Sequence, residues 1–272
     1  MLLGKRVRME RMSDRNTRKT VIVPLSHGVG MGPIEGIVDI QNAIDMVSLA
    51  GANAIVLNKG VVPRAHRGKG RDIGLVVHLT GGSEQSAKVQ VCSVEEALRM
   101  GADGVRARLH VGGKEENRTL ETLGNITRVA MDWGMPVLVT VFPVNNSGNG
   151  NVELISRGAR IAAELGADMV SVPYPGSKER LRDIVASTPA PVIVLGGEKM
   201  DDPTHLLSMV NDAMSAGVHG VSVGRNVFQY EKPGNMVKAI GEIVHRGASV
   251  AQANKVLEEE RLTSSIYSPP IW

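Results

Sequence analysis

Two glycine-containing segments near the end of the chain combine residue types that bind a phosphate group. The segments LGGEK (195–199) and SVGRN (222–226) each follow a short β-branched run. Glycines let backbone N–H groups approach an oxyanion, a helix starting there adds its positive end, and Arg225 and Lys199 can donate charge-assisted hydrogen bonds. The alternative is that the glycines only form tight turns and Arg225 is salt-bridged at the surface. We predict a site for a phosphorylated small molecule, formed by Gly196, Gly197, Lys199, Gly224 and Arg225.

Lys59 is the candidate for covalent chemistry. It ends the apolar run AIVLNK (54–59), so we expect its side chain at the end of a buried strand. A lysine withdrawn from water has a lowered pKa and can act as a base or as the nucleophile of a Schiff base. Alternatively, Lys59 contacts a ligand phosphate or a neighbouring carboxylate and has no covalent role.

Five further polar residues lie at or near the ends of β-branched runs. Ser26 and His27 follow the first run, His78 lies in the third, and Ser171 and Tyr174 lie in the sixth. We predict catalytic roles for Ser26, His27 and Tyr174, the last as a proton donor, and substrate-binding roles for Ser171 and His78. For Tyr174, packing without a chemical role is the alternative.

A metal site is the other chemistry that the histidines suggest. Imidazole is a common zinc ligand, and His27, His78 and His110 all lie near strand ends. Their spacing contains no short metal-ligand motif, and acidic residues are scarce at these positions. We therefore predict hydrogen-bonding roles for the three histidines, with no metal and no other cofactor.

These residues have to be positioned by a repeating pattern of strands and helices. Eight β-branched runs, at 20–25, 54–59, 74–79, 104–111, 136–142, 168–174, 191–197 and 220–226, are predicted strands. Seven helical patterns lie between or after them, at 36–50, 94–101, 118–132, 152–165, 178–186, 204–216 and 232–246. An open doubly wound sheet shares part of this pattern, but no G-x-G-x-x-G follows the first run. The sequence therefore predicts a (β/α)8 TIM barrel, whose functional residues lie at the C-terminal ends of the strands.

A recurring glycine phrase supports that prediction and sets the domain boundaries. AGANAIV (50–56), MGADGV (100–105), LGADMV (165–170) and AGVHGV (216–221) each place a glycine where a helix turns into the next strand. We predict a lead-in helix over 1–19, the barrel over 20–250, and a C-terminal helix with a loose tail over 251–272. The loops at 62–72 and 144–151 are candidate lids over the site.

Composition narrows the class of protein. The formal net charge is only +3 over 272 residues, so we expect no nucleic-acid partner. No run approaches 18 apolar residues and the charged N-terminus lacks the apolar core of a signal peptide, so we expect no membrane partner. Cys92 is the one cysteine, which excludes internal disulfides and fits a cytoplasmic protein.

Five segments together resemble the archaeal-type class I aldolase family, the type of 2-amino-3,7-dideoxyheptulosonate synthases and fructose-bisphosphate aldolases. They are VIVPLSHGVGMGP, NAIVLNKGVV, AHRGKGRDIGLVVHLTGG, GGEK and GVSVGRNVFQ. The resemblance implies a lyase that forms a Schiff base with a phosphorylated ketone or aldol, and a homo-oligomer. It also implies aspartate semialdehyde and a ketose phosphate or dihydroxyacetone phosphate as substrates, in aromatic amino acid biosynthesis.

Three positions depart from the family pattern. The resemblance implies an aspartate after the first strand, a tyrosine after the fifth and an imine-forming lysine on the sixth. This chain has Ser26, Phe142 and Ser171 at the matching positions. A serine cannot form an imine, and loss of an acid/base group costs about 10²–10⁴-fold in rate.

Three functional hypotheses follow from this combination. The first is an aldolase-like lyase or synthase with a modified mechanism, in which Lys59 carries the imine or acts as base. The second is a different isomerase or lyase reaction on a sugar phosphate that uses Ser26, His27, Lys59 and Tyr174. The third is a non-catalytic homologue that binds phosphosugars.

Overall fold

A closed barrel of eight parallel strands forms the centre of the computed structural model, which describes residues 2–65, 73–82, 89–144 and 152–258. The barrel strands are β1 (Thr20–Pro24), β2 (Ala54–Asn58), β3 (Gly74–His78), β4 (Gly104–Val111), β5 (Val137–Pro143), β6 (Met169–Val172), β7 (Val192–Leu195) and β8 (Gly220–Ser222). Each strand pairs with the next along the chain, and β8 pairs with β1 to close the barrel. The predicted (β/α)8 TIM barrel is confirmed.

Helices surround the barrel and follow most of its strands. In the described ranges they are α1 (Leu3–Arg11), α2 (Gly28–Met31), α3 (Ile40–Leu49), α4 (Val94–Arg99), α5 (Glu116–Asp132), α6 (Val152–Glu164), α7 (Lys178–Ser187), α8 (Pro203–Ser215), α9 (Arg225–Phe228), α10 (Pro233–Arg246) and α11 (Val250–Glu258). A 3₁₀ helix, Lys59–Ala65, follows β2, and a two-residue antiparallel ladder joins Thr80–Gly81 to Val89–Gln90. Four side-chain N-caps begin longer helices, and Ser93 forms a capping box with Glu96.

Left-handed glycines turn four helices into the strands that follow. Gly51, Gly101, Gly166 and Gly217 have φ of 93°, 77°, 97° and 94°. Side chains other than glycine rarely adopt this conformation, which explains why the glycine phrase recurs before these strands.

Side chains of each strand alternate between the helix layer and the barrel interior. Val105, Ala107, Leu109 and Val111 of β4 are buried in the cluster that joins strands to helices. The intervening positions of β4 face the interior and include Arg106 and two further polar residues. Near the N-terminal ends of the strands the interior is instead apolar, formed by Met12, Ile22, Ala54, Val56, Val76, Leu138, Met169 and Ile193. The interior therefore changes from apolar to polar along the barrel axis.

The N-terminal helix closes the apolar end of the barrel. Lys5 pairs with Asp168 at 3.0 Å and Arg11 with Asp103 at 3.2 Å, while Met12 packs against the interior cluster. Helix α1 ends at Arg11 and does not continue towards residue 19 as we expected. The reason is a turn in which the carboxylate of Asp14 accepts hydrogen bonds from the next residues before β1.

Three predictions fall wholly or mostly outside the described residues. The candidate lids at 62–72 and 144–151 are described only up to residue 65 and at residue 144, and the tail from 259 to 272 is not described. Within the described part of the chain, no helix has both the length and the apolar character that a membrane span requires.

Candidate functional site

A cavity of about 330 Å³ opens at the C-terminal ends of the barrel strands. Its lining residues are Pro24, Ser26, His27, Arg106, Arg108, His110, Phe142, Leu195, Gly196, Gly197, Glu198, Ser222, Gly224 and Arg225. Six of the eleven predicted site residues are therefore brought together here. This is also the end of the barrel where the fold places functional residues.

Glycine is required at two positions of the cavity wall by close packing. A Cβ atom at Gly224 would lie 2.7 Å from Cε1 of His27, and one at Gly196 would lie 2.7 Å from Cγ1 of Val223. Any side chain at residue 224 would displace His27 from the cavity. The glycines thus let the two loops close around a small space.

The same loops present backbone donors to the cavity. Within the described ranges, the N–H groups of Gly197, Gly224 and Arg225 donate to no protein acceptor. Arg225 Nε is buried and has no hydrogen-bond partner in that part of the chain either, while its Nη1 lies 3.8 Å from Glu198. Backbone N–H groups that converge beside a guanidinium are suited to bind an oxyanion. Two of these donors belong to the start of the four-residue helix α9, whose N-cap is Gly224 and whose first residue is Arg225.

Lys199 lies away from this group, contrary to our expectation that it would act with Arg225. It is exposed and lines a separate surface pocket with Tyr230 and Met236. The buried Asn226 side chain explains this position: it accepts from Met200 N at 2.8 Å and donates to the carbonyl of Gly196 at 3.0 Å. These hydrogen bonds fix the loop after β7 in a form that directs Lys199 outwards.

Lys59 also lies outside the cavity. We had expected its amine to project into the mouth of the barrel. Its Nζ is 2.9 Å from Oε1 of Glu96 at the start of α4. Strand alternation is the reason: Ala54 and Val56 face the interior, so Leu57 and the residue two positions later face the helices. The hydrogen bond with Glu96 raises the pKa of Lys59, the opposite of what a nucleophilic amine requires.

Tyr174 is, after Lys59, the second predicted catalytic residue that does not reach the cavity. Its hydroxyl donates to Oδ2 of Asp212 on α8 at 3.3 Å, and its ring packs against the helix layer. Burial, with the charge of Asp212, raises the pKa of Tyr174 to about 12. The structure thus supports the packing alternative for this side chain.

His27 lines the cavity. Its ring packs edge-on against Phe228 with centroids 5.2 Å apart, and its Nδ1 is buried without a hydrogen-bond partner in the described ranges. Burial and three nearby arginines, Arg106, Arg225 and Arg108, lower the pKa of His27 to about 3. The imidazole is therefore neutral at pH 7, a form that can accept a proton.

Two arginines of β4 line the cavity, and sequence reasoning did not select them. Arg106 is 4% exposed and its Nε donates to Oγ1 of Thr140 at 2.7 Å. The guanidinium of Arg108 lies 4.8 Å from the ring centroid of Phe142, in a cation–π arrangement. Burial, together with the charge of Arg108, lowers the pKa of Arg106 to about 9. The available signal was the alternation of GVRARLHV (104–111), which puts both arginines on one face.

Of the two predicted serines, Ser26 lines the cavity and Ser171 does not. Ser171 is fully buried on β6, pairs in register with Thr140 of β5, and its Oγ has no hydrogen-bond partner in the described ranges. Ser26 is buried at the end of β1 and lines the cavity. His78 is buried one strand from Arg106, 3.2 Å from Oγ1 of Thr80, and does not line the cavity.

Among the described residues, this site contains neither a lysine amine nor a group of metal ligands. None of the described lining residues is a lysine. Over 2–65, 73–82, 89–144 and 152–258, no three His, Cys, Asp or Glu side chains are grouped to hold a metal ion. The cavity instead combines guanidinium groups, backbone N–H groups, hydroxyls and two imidazoles, of which that of His27 is neutral at pH 7.

Known proteins resemble this chain over nearly its whole length. A model described as DeoC/LacD family aldolase matches residues 20–230. A "2-amino-3,7-dideoxy-D-threo-hept-6-ulosonate synthase" of Halobacterium salinarum is 36% identical, over 94% of this chain and 98% of the relative. A "2-amino-4,5-dihydroxy-6-oxo-7-(phosphonooxy)heptanoate synthase" of Streptomyces griseus is 30% identical, over 92% and 95%.

Solved structures of archaeal aldolases also resemble this chain over most of its length. The crystal structure of an archaeal fructose 1,6-bisphosphate aldolase has a TM-score of 0.80 and 28% identity, covering 89% of this chain and 100% of that one. A second structure of such an enzyme has a TM-score of 0.79 and 28% identity, covering 88% and 99%. In that protein the catalytic lysine is covalently bound to the carbinolamine intermediate of the substrate.

Proposed function

Because this chain belongs to the DeoC/LacD aldolase family, we propose that it makes or breaks a carbon–carbon bond of a phosphorylated keto sugar without a lysine imine. The donor is a phosphorylated ketone and the acceptor an aldehyde. Dihydroxyacetone phosphate, or a ketose phosphate, and aspartate semialdehyde are the pair that the family resemblance implies. We further propose that the protein acts in the cytoplasm as a homo-oligomer.

The single observation that carries this proposal is the composition of the cavity. It keeps converging backbone donors beside Arg225, which suit a phosphate ester, yet its described lining has no primary amine. An imine requires such an amine, and Ser171 stands where the family pattern has one. We therefore propose that the protein still binds a phosphate ester and does not react through an imine.

An aldol reaction through an enolate is compatible with the groups present. His27 accepts the proton from the carbon beside the ketone, and the electron pair of that C–H bond forms the enolate. The enolate carbon then attacks the aldehyde carbon, the new carbon–carbon bond forms, and His27 returns the proton to the aldehyde oxygen. Cationic side chains around the cavity stabilise the enolate oxygen. No oxidant, reductant or further reactant is consumed.

The test combines product analysis with borohydride trapping. The protein is incubated with dihydroxyacetone phosphate and aspartate semialdehyde, and the condensation product is followed by mass spectrometry. We expect product to form, and we expect no lysine adduct after borohydride reduction. Ser171→Lys supplies a primary amine at the family position and is the matched control in which an adduct is expected. A reduced adduct on any lysine of the unaltered chain would contradict the proposal.

A non-catalytic phosphosugar-binding role is the second candidate, favoured by one specific observation. Ser26, Phe142 and Ser171 replace all three acid, base and nucleophile positions that the family resemblance implies. This role predicts saturable binding of dihydroxyacetone phosphate with no product from any aldehyde. Product that forms from a sugar phosphate alone would instead indicate an isomerase or elimination reaction.

A further inference from the structure

We propose that the barrel interior contains a second anion subsite built around Arg106, so that the ligand carries another anionic group besides its phosphate ester. This inference rests on the proposed function, because it assumes that the phosphate occupies the loops after β7 and β8. The second group is an oxyanion, either a carboxylate or a second phosphate. It lies deeper in the barrel than the first.

The first argument is the uncompensated charge of Arg106. The side chain is 4% exposed, and its only hydrogen bond to a described residue is the one from Nε to Thr140. No carboxylate in that part of the chain pairs with it, and four of its five N–H bonds remain for another acceptor. Burial of an ion without a partner is costly, so such groups are normally paired or bind a ligand.

The second argument is the sign of the charge around the cavity. Arg106, Arg108 and Arg225 all line it. Among the described lining residues the only carboxylate is that of Glu198, whose side chain is 89% exposed and lies 3.8 Å from Arg225. A phosphate at the loops beside Arg225 would therefore leave the charge of Arg106, on the opposite part of the described wall, without a local counter-charge.

The third argument is the row of hydroxyl groups next to Arg106. Thr140 and Ser171 are register partners on adjacent strands, and both are fully buried. The Ser171 hydroxyl has no hydrogen-bond partner within the described ranges and lies behind the cavity lining, next to the Thr140 hydroxyl that accepts from Arg106. Arg106, Thr140 and Ser171 together span β4, β5 and β6 and supply the donors that a carboxylate or phosphate needs.

The two subsites lie on different sides of the barrel axis. The Arg106 subsite belongs to β4–β6, whereas Gly197, Gly224 and Arg225 belong to the loops after β7 and β8. Both border one cavity of about 330 Å³, so one small molecule can reach both. A linear compound with an anionic group at each end fits this arrangement.

Calorimetric titration with matched ligands tests the inference. The probes are 6-phosphogluconate, with a carboxylate and a phosphate, glucitol 6-phosphate, with the phosphate alone, and glucitol 1,6-bisphosphate, with two phosphates. We expect at least one doubly anionic probe to bind about 10- to 100-fold more tightly than glucitol 6-phosphate, the effect of hydrogen bonds to a charged group. Preference for the first probe identifies a carboxylate subsite, and preference for the last identifies a phosphate subsite.

Two variants separate this inference from the proposed function. Arg106→Met should abolish the preference for the doubly anionic probe and leave glucitol 6-phosphate binding intact. Arg225→Met should weaken all three probes by similar factors. If the methionine variant does not fold, Arg106→Lys provides a second test, because it keeps the charge but loses the planar guanidinium. This variant should lose most of the preference for the doubly anionic probe.

Each failure has its own meaning. An unaltered protein without any preference, or an Arg106 variant that keeps it, would overturn the second subsite. An Arg225 variant that binds every probe normally would overturn the phosphate site and with it the proposed function.

Discussion

Replacement of Arg106 by methionine should stabilise the ligand-free protein. Arg106 is a buried cation without a carboxylate partner in the described residues, and its presence therefore opposes folding. Methionine has a similar length and no charge to desolvate. A stabilising effect would show that the arginine is retained for binding, since a structural arginine would destabilise the fold when removed.

The magnitude follows from two opposing contributions. Exchange of buried ionic groups for apolar side chains of similar volume is neutral or stabilising by about 1–4 kcal/mol. The change also leaves the Thr140 hydroxyl, which is fully buried and accepts from Arg106, without this hydrogen bond, at a cost of about 1–3 kcal/mol. The mid-range values of about 2.5 and about 2 kcal/mol leave a net gain of about 0.5 kcal/mol in the free energy of unfolding. At about 2–4 °C per kcal/mol for a large domain, Tm should rise by about 1–2 °C.

The pH dependence has a defined sign. Burial lowers the pKa of Arg106 to about 9, from 12.5 in the unfolded chain. Between these values the unfolded state binds more protons, so the contribution of Arg106 to stability rises with pH. Below pH 9 the full penalty is present. The difference in stability between Arg106→Met and the unaltered protein should therefore shrink as pH rises above 9.

Chemical denaturation at several pH values is the assay, with Thr140→Val as the matched control. The double variant Arg106→Met/Thr140→Val also removes the Thr140 hydroxyl that has lost its donor, so it should be more stable than Arg106→Met alone by about 1 kcal/mol. If Arg106→Met and the double variant each lost more than about 2 kcal/mol in the free energy of unfolding, the reasoning would be refuted. It would mean that Arg106 stabilises the ligand-free barrel.

Three further outcomes follow from the site. Gly224→Ala should displace His27 and weaken glucitol 6-phosphate binding about tenfold in calorimetry. Gly124→Ala, on α5 with open space around it, should leave that affinity unchanged and raise stability by about 0.5–1 kcal/mol. Equal affinities of the two variants for glucitol 6-phosphate would contradict the packing argument. By NMR titration, His27 should stay neutral down to about pH 3 and gain a higher pKa when an anion neutralises the arginines. Lys59→Met and Tyr174→Phe should leave ligand affinity unchanged, and a loss would return either side chain to the site.

The barrel could be predicted because its signals are local. Each glycine phrase marks a helix end, and the left-handed glycines before four strands bear this out. The resemblance to archaeal-type class I aldolases is likewise confirmed by the family match over residues 20–230. The end of α1 could not be predicted, because it depends on a single carboxylate, that of Asp14, bonding to the next turn.

The candidate site was predicted only in part because strand alternation is sensitive to one residue. Ser26, His27 and Arg225 line the cavity, but Lys59 is one position from the inward register and faces α4. Arg106 was missed for a different reason. Candidates were sought at the ends of strands, whereas Arg106 lies within β4, where the interior of such barrels is usually filled by apolar side chains.

Arg106 also limits what chemistry the barrel interior can perform. An amine in this cationic, desolvated setting would lose its proton near neutral pH and become a nucleophile. A guanidinium whose pKa is about 9 stays protonated at pH 7, so it can hold an anion but cannot form an imine. In the proposed mechanism proton transfer comes from His27, whose pKa is lowered by the surrounding arginines. Binding of the second anion would therefore raise the basicity of His27 at the moment the substrate is in place.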